Sequence, residues 1–260
     1  MGRAYDKVQK ARDIKRISSI EIIEALTDWF IELHGDRIME DDKSIVGGVG
    51  QYDDQPITII GIQKGKTTRE NIERNFGSVG PGGYRKAIRL IEQADKFNRP
   101  ILTLINTAGA HASPESEENG IGEAIAASLL ALSKVKVPTI AIILGEGGSG
   151  GALALALTDE VWMLENSVYS ILSPEGFASI LWKDAKLAPK AADLMKLTAK
   201  DLLELNIVEK VIAEMNHGVP LQKETVIKRI VFDVKSKFEE LGRLDSEERI
   251  HQRNERFRSF

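Results

Sequence analysis

The chain has 260 residues, 42% hydrophobic and 28% charged, enough to bury a substantial core in one α/β domain of common size. Its formal charge of −4 supplies no global basic field, so neither nucleic acid nor another polyanion is expected as a partner. Cysteine is absent, which excludes disulfides, a thiolate nucleophile and cysteine-held metal sites, and suits a reducing cytoplasm.

The N-terminal stretch MGRAYDKVQKARDIKR is charged and has no apolar h-region. No segment reaches the roughly 18 uninterrupted apolar residues of a membrane span, so no membrane association is expected. Residues 18–33, SSIEIIEALTDWFIEL, open with a capping serine and space Ile20, Ile23, Leu26, Phe30 and Leu33 by three or four, or as multiples of these, which predicts one amphipathic helix. Two strand-like runs follow, SIVGGVGQY and ITIIGIQKG, separated by the turn-forming DDQP. From Pro81 onward GGYRKAIRLIEQADKF reads as a helix, PILTLIN as a buried strand, EAIAASLLALSKV as a helix and PTIAIIL as a buried strand. Beyond a glycine-rich loop, ALALALT reads as a short helix, VWML as a strand, and KAADLMKLTAKDLLEL as a helical stretch ending near Asn206. Nearly unbroken apolar strands that alternate with helices predict parallel pairing with both faces covered. The charged EERIHQRNERFRSF is expected as a surface helix or tail.

The loop GEGGSGG, residues 145–151, places five glycines in seven positions, and three templates fit it. Read as G-x-G-x-x-G, residues 145–150 follow a strand and open a helix, with Glu165 where a ribose-binding acid would sit, yet the following helix is short for a dinucleotide unit. Read as G-x-S-x-G, residues 147–151 make Ser149 a nucleophile that needs a histidine base. The histidines are His34, His111, His217 and His251, and only the last two follow Ser149 in hydrolase order. In the third reading the backbone is the chemical device. The first amides of a helix lack an intrahelical acceptor and lie at the positive end of its dipole. Glycines let a substrate oxygen approach them, giving an oxyanion hole for an enolate or a ureido oxygen without any side-chain acid or base. Close packing of helix on strand is the alternative use of such glycines.

The stretch GEGGSGGALALALTDEVWMLENSVYSILSPEGFASILWKD, with IVGGVG, GIQKGK, NFG, GYRKAIRL and EAIA, resembles the alpha subunit of the carboxyltransferase component of bacterial acetyl-CoA carboxylase, from about Leu33 to about Val211. The resemblance implies an α/β, crotonase-like fold of repeated strand–strand–helix units with flanking N- and C-terminal helices. It implies a single carboxyltransferase alpha domain over 1–260: an N-terminal helical extension at 1–35, a core at 36–215 and a C-terminal helical segment at 216–260. The implied activity is transfer of a carboxyl group from carboxybiotin on a carrier protein to acetyl-CoA, giving malonyl-CoA, in the cytoplasm. The implied partners are a beta subunit in a heterotetramer of two alpha and two beta chains, the biotin carboxyl carrier protein and biotin carboxylase. Zinc is implied only in the beta subunit, and none in this chain.

By position, Gly150 and Gly151 match the pair whose amides hold the biotin ureido oxygen, with Gly147, Gly148 and Ser149 beside them. Gly109 and Ala110 sit where such folds place a second contributing amide, and Glu175 of SPEG lies near the cleft. Lys64, Lys66, Arg85 and Lys86 are candidates for meeting phosphate or carboxylate groups, or for simple solvation. The chain departs from the family pattern at GAHASPESEENGI (109–121), where His111, Ala112, Ser113, Asn119 and Ile121 replace Tyr, Pro, Gly, Arg and Gln, and at Gly82, which replaces a Glu. A stand-alone crotonase-type hydratase, isomerase or hydrolase, and a non-catalytic assembly partner, remain open as alternatives.

Overall fold

A computed structural model describes residues 3–260, so Met1 and Gly2 of the expected N-terminal extension lie outside the described residues. The chain opens with α1 (Arg3–Ala11) and α2 (Ser19–Leu26), followed by strands β1 (Trp29–Glu32), β2 (Ile45–Tyr52) and β3 (Gln55–Ile62). Next come α3 (Thr68–Glu73), α4 (Pro81–Lys96), β4 (Ile101–Thr107), α5 (Pro114–Glu118), α6 (Ile121–Lys134), β5 (Thr139–Gly148) and the short α7 (Ser149–Leu153). The chain continues through β6 (Glu160–Leu164), β7 (Val168–Ser170), α8 (Pro174–Trp182), α9 (Ala188–Met195), α10 (Ala199–Glu204) and β8 (Lys210–Ile212). A small hairpin of β9 (Met215–Asn216) and β10 (Val219–Pro220) leads into α11 (Lys223–Gly242) and α12 (Ser246–Arg258).

One mixed sheet runs in the order β1-β2-β3-β4-β5-β6-β8, with β7 pairing the far end of β5. The β1–β3 meander is antiparallel, and every pairing from β3 onward is parallel. Alternate residues of β4 serve two cores. Ile101 and Ile105 face a cluster built on α4, α6 and α10, whereas Leu102 and Leu104 join Ile22 of α2 and Ile230 and Phe238 of α11. Burial on both faces is why these strands are continuous apolar runs.

Two expectations are corrected. The helix expected over residues 18–33 stops at Leu26. Ser18 and Glu21 close a capping box at its start, Thr27 takes an extended conformation at its end, and Trp29–Glu32 pair antiparallel with β2 instead. Trp, Phe and Ile are good strand formers, and an available sheet edge outweighs a helical spacing that they also satisfy. The stretch at 190–205 likewise divides into α9 and α10, because Lys196 turns left-handed (φ 53°) and Thr198 with Asp201 begins a new capping box.

Candidate active site at the glycine corner

At the end of β5 the chain passes Gly148, turns through Ser149 at φ 53° and enters α7. Three backbones meet there, those of β5–α7, of the loop after β4 and of α1, whose Ala11 carbonyl oxygen would lie 2.7 Å from a β-carbon on Gly145. A β-carbon on Gly148 would fall 2.0 Å from the carbonyl oxygen of Ala108, and one on Gly151 would fall 2.5 Å from the amide nitrogen of Ala110. One on Gly145 would fall 2.6 Å from Asn106 Oδ1, itself the acceptor for the Glu146 amide. Packing therefore accounts for these three glycines, and Gly147 is tight as well, a β-carbon on it falling 3.0 Å from Tyr169 Cδ2. Gly150 is different, since a β-carbon there would meet only Ile125 Cγ2, at 3.7 Å.

The amides of Gly150 and Gly151 lie in the first turn of α7, where no intrahelical acceptor exists, and no other backbone or side-chain acceptor engages them among the described residues. The Gly151 carbonyl is fixed by the Tyr84 hydroxyl, which donates to it at 3.0 Å. The loop after β4 presents Ala110, whose amide is also uncommitted among the described residues, directly against Gly151. Gly109 differs from its neighbour. Its amide donates to Thr107 Oγ1 at 3.1 Å and its φ of +152° makes it the turn residue, which leaves Ala110 to present the open N–H. The corner thus gathers uncommitted N–H groups of the kind that stabilise an oxygen gaining negative charge.

An ionic network braces this corner from the N-terminus. Arg12 at the end of α1 bonds Glu146 Oε1 (2.8 Å) and takes both carboxylate oxygens of Glu175 (2.8 and 3.0 Å), which also accepts from the Tyr5 hydroxyl (3.0 Å). Lys64 completes the pairing of Glu146 at 2.9 Å. The Arg12 guanidinium holds the Glu175 carboxyl down at about 2 against its partial burial. Burial pushes Glu146 upward, but Lys64 and Arg12 more than offset it and keep its pKa below the ordinary carboxylate value. Both acids are therefore ionised anchors, without a proton to give near neutrality. Arg12 lies 134 residues from Glu146 and 163 from Glu175, so nothing local in the sequence announces the network.

The other basic candidates meet the protein's own acceptors. Lys66 pairs with Glu21 (3.1 Å), and Arg85 donates to the Asn119 carbonyl. Lys86 is fully buried and bonds Asp41 Oδ1 and the Ile45 carbonyl, each at 2.8 Å. Ser149 Oγ has no histidine partner among the described residues; His34 bonds Asp41, and the His111 amide is spent on the Val79 carbonyl. The altered loop at 109–121 is ordered by Ser113, which caps α5 by accepting the Ser116 amide at 3.1 Å. Gly82 is matched to its surroundings, for a β-carbon there would lie 2.7 Å from Glu40 Cγ. No group of three or more metal-ligating acids or histidines is present among the described residues, and no helix among them is long and apolar enough to cross a membrane.

Two cavities flank the corner. One, of about 340 Å³, is lined by Arg12, Lys64, Asn106, Ala108 and Glu146. The other, of about 500 Å³, is mainly apolar and includes Gly150, Leu153, Tyr169, Ile171 and Phe177 in its wall.

The comparisons with known proteins agree with this architecture. A family model described as acetyl co-enzyme A carboxylase carboxyltransferase-like matches residues 3–260, wider than the Leu33–Val211 span carried by the motifs. The acetyl-coenzyme A carboxylase carboxyl transferase subunit alpha of Streptococcus pneumoniae (strain Hungary19A-6) is 52% identical over 253 residues, covering 97% of this chain and 98% of the relative. Among solved structures, a Pseudomonas malonate decarboxylase hetero-tetramer in complex with coenzyme A superposes with TM-score 0.69 at 17% identity, over 91% of this chain and 92% of that one. The transcarboxylase 12S core with methylmalonyl-coenzyme A and methylmalonic acid bound gives TM-score 0.67 at 17% identity, over 87% of this chain and 44% of that one. These likenesses establish the crotonase-like fold. Identity above one residue in two, sustained along nearly the whole of both chains, leaves one assignment: the chain belongs to the acetyl-CoA carboxylase carboxyltransferase family, as a subunit of the alpha type.

Proposed function

We propose that this chain, completed by a beta subunit, transfers the carboxyl group of carboxybiotin to acetyl-CoA to give malonyl-CoA. The observation that carries the reading is Gly150: its amide is uncommitted, and packing gives no reason for its missing side chain. A urea carbonyl needs N–H donors and close approach, and the Gly150–Gly151 corner with Ala110 opposite fits that need. Carboxybiotin, when bound, supplies the carboxyl group and then a nitrogen able to accept the methyl proton of acetyl-CoA. Gly150 and Gly151 donate N–H groups to the ureido oxygen and stabilise its growing negative charge. Ala110 supports them from the loop, while Gly109 sets the turn. Gly147 and Gly148 keep β5 close to its neighbours, and Ser149 makes the bend. Glu175 contributes as an anchor through Arg12 and Tyr5, and no histidine or carboxylate of this chain needs to act as a general base.

The same reading extends to the assembly. It comprises a zinc-bearing beta subunit in a heterotetramer of two alpha and two beta chains, visited by a biotin carboxyl carrier protein that biotin carboxylase loads, in the cytoplasm. The chain itself is one carboxyltransferase unit, with residues 1–35 and 216–260 flanking the 36–215 core. Purified with its beta subunit, it is expected to form malonyl-CoA from carboxybiotin and acetyl-CoA, whereas the chain alone is inactive. A complex that assembles and transfers nothing overturns the catalytic reading in favour of a non-catalytic partner. Turnover of acyl-CoA by this chain alone, lost in Glu175→Gln, would put a crotonase-type hydratase, isomerase or hydrolase in its place.

A further inference from the structure

The larger cavity beside the glycine corner holds two hydroxyl groups that the fold does not use. Most of its wall is carbon, from residues such as Leu153, Ile171 and Phe177. Four side chains bring polar atoms to it. Ser170 Oγ is spent on the Leu172 carbonyl at 2.8 Å, and Lys196 is turned toward Asp201 at 3.9 Å. Tyr169 Oη and Ser149 Oγ have no hydrogen-bond partner among the described residues; Ser149 is exposed and Tyr169 Oη is not a sealed, unsatisfied atom, so both are open to a ligand.

The position of each is built in. Tyr169 pairs with Gly147 across β5 and β7, and its amide is anchored on the Leu197 carbonyl at 3.0 Å. A β-carbon on Gly147 would lie 3.0 Å from Tyr169 Cδ2, so this glycine of the motif makes room for the tyrosine ring. Burial pushes the Tyr169 phenol up to about 12, which keeps it a hydrogen-bond donor across the working pH range. Ser149 occupies a left-handed turn (φ 53°) that glycine would take without strain, among four glycines that show the chain can supply one. The backbone there does not call for a serine, which leaves its hydroxyl free for a ligand.

We propose that Tyr169 and Ser149 are substrate-contacting residues of the carboxyltransferase, whose hydroxyls orient a neutral, mostly apolar, urea-bearing ring in this cavity with its carbonyl against the Gly150 amide. The inference rests on the carboxyltransferase reading above and adds the groups that select the ring. An apolar wall with a few placed hydroxyls suits an uncharged ring. It does not suit the phosphates of coenzyme A, for which Lys196 is the one lining cation among the described residues.

The test uses the alpha–beta complex with biotin methyl ester as the probe, comparing wild type, Tyr169→Phe and Ser149→Gly. Binding is read by calorimetry, and carboxyl transfer is read in reverse, from malonyl-CoA to the probe. Loss of one neutral hydrogen bond predicts roughly three- to tenfold weaker probe binding and a matching rise in the probe KM for each variant. The KM for malonyl-CoA stays unchanged, and both variants melt no lower than wild type, because Tyr169→Phe keeps the ring and Ser149→Gly relieves the turn. Unchanged probe affinity in both variants, no probe binding by the wild-type complex, or a rise confined to the malonyl-CoA KM overturns the proposal. Should the wild-type complex bind the probe and transfer nothing, the carboxyltransferase reading fails, while the binding comparison still decides the role of the two hydroxyls.

Discussion

Replacing Gly150 with alanine separates chemistry from packing at the glycine corner, and Gly151→Ala is its control. At position 150 the new methyl meets only Ile125 Cγ2 at 3.7 Å, an ordinary contact, and the residue has no left-handed φ. Restricting the unfolded chain should then leave stability unchanged or raise it by about 0.4–1 kcal/mol. At position 151 the methyl would stand 2.5 Å from Ala110 N, 2.8 Å from the Gly109 carbonyl carbon and 2.9 Å from the Tyr84 hydroxyl oxygen. Overpacking of that kind costs about 1–3 kcal/mol. At about 2–4 °C per kcal/mol, the control should melt some 2–12 °C lower. If the Gly150 amide holds a charged oxygen, crowding it forfeits roughly the 100- to 1,000-fold in rate, about 2.7–4 kcal/mol, typical of one lost oxyanion donor. The assays are thermal melts of each variant and malonyl-CoA formation by the variant paired with its beta subunit. A Gly150→Ala protein that assembles, melts like wild type and keeps full activity refutes the reasoning.

Three further predictions concern the ion pairs. Arg253 is fully buried and bonds Asp159 (2.9 Å) and the Leu132 and Val135 carbonyls (2.6 and 2.7 Å). Arg253→Ala should therefore cost about 3–5 kcal/mol in urea unfolding, and a loss below about 1 kcal/mol would contradict that assignment. The buried Lys86 and exposed Asp41 should respond unequally: Asp41→Asn leaves a buried ammonium whose remaining carboxylate, Glu32, is 3.7 Å away, Lys86→Met leaves an acid that water can reach, and denaturant midpoints should rank the first as the more damaging. Arg12 lowers Glu175 from the ordinary 4.5 to about 2, so the pair's contribution is fully present above about pH 4.5 and is lost as pH falls toward 2. The melting-temperature gap between wild type and Arg12→Gln should narrow over that window, and a gap independent of pH would sink the assignment.

Much of the fold was legible because burial on both faces writes itself as apolar runs. PILTLIN and PTIAIIL lie on β4 and β5, and the alternating helices cover them. Residues 27–33 are ambiguous in sequence because Phe30 and Leu33 satisfy a helical spacing and a strand equally well, and only the free edge of β2 decides between them. The glycine run pointed to its corner without ranking its members; the ranking came from distances to Ala108 and Ala110, whose approach no local pattern reveals. Lys86 reads as a surface cation in GYRKA, yet it is buried because Asp41 arrives from 45 residues earlier. Arg12 and Tyr5 stayed hidden for the same reason, their acids lying more than 100 residues downstream.

The meeting of three backbones at the end of β5 also bears on how lineages of such chains should be read. Gly148 and Gly151 have no space for a methyl group whether or not the corner ever turns over substrate. A descendant that had abandoned its chemistry but still folded would inherit both. Among the glycines of this corner, retention of Gly150 is the more informative trait, because geometry alone would have allowed it to drift.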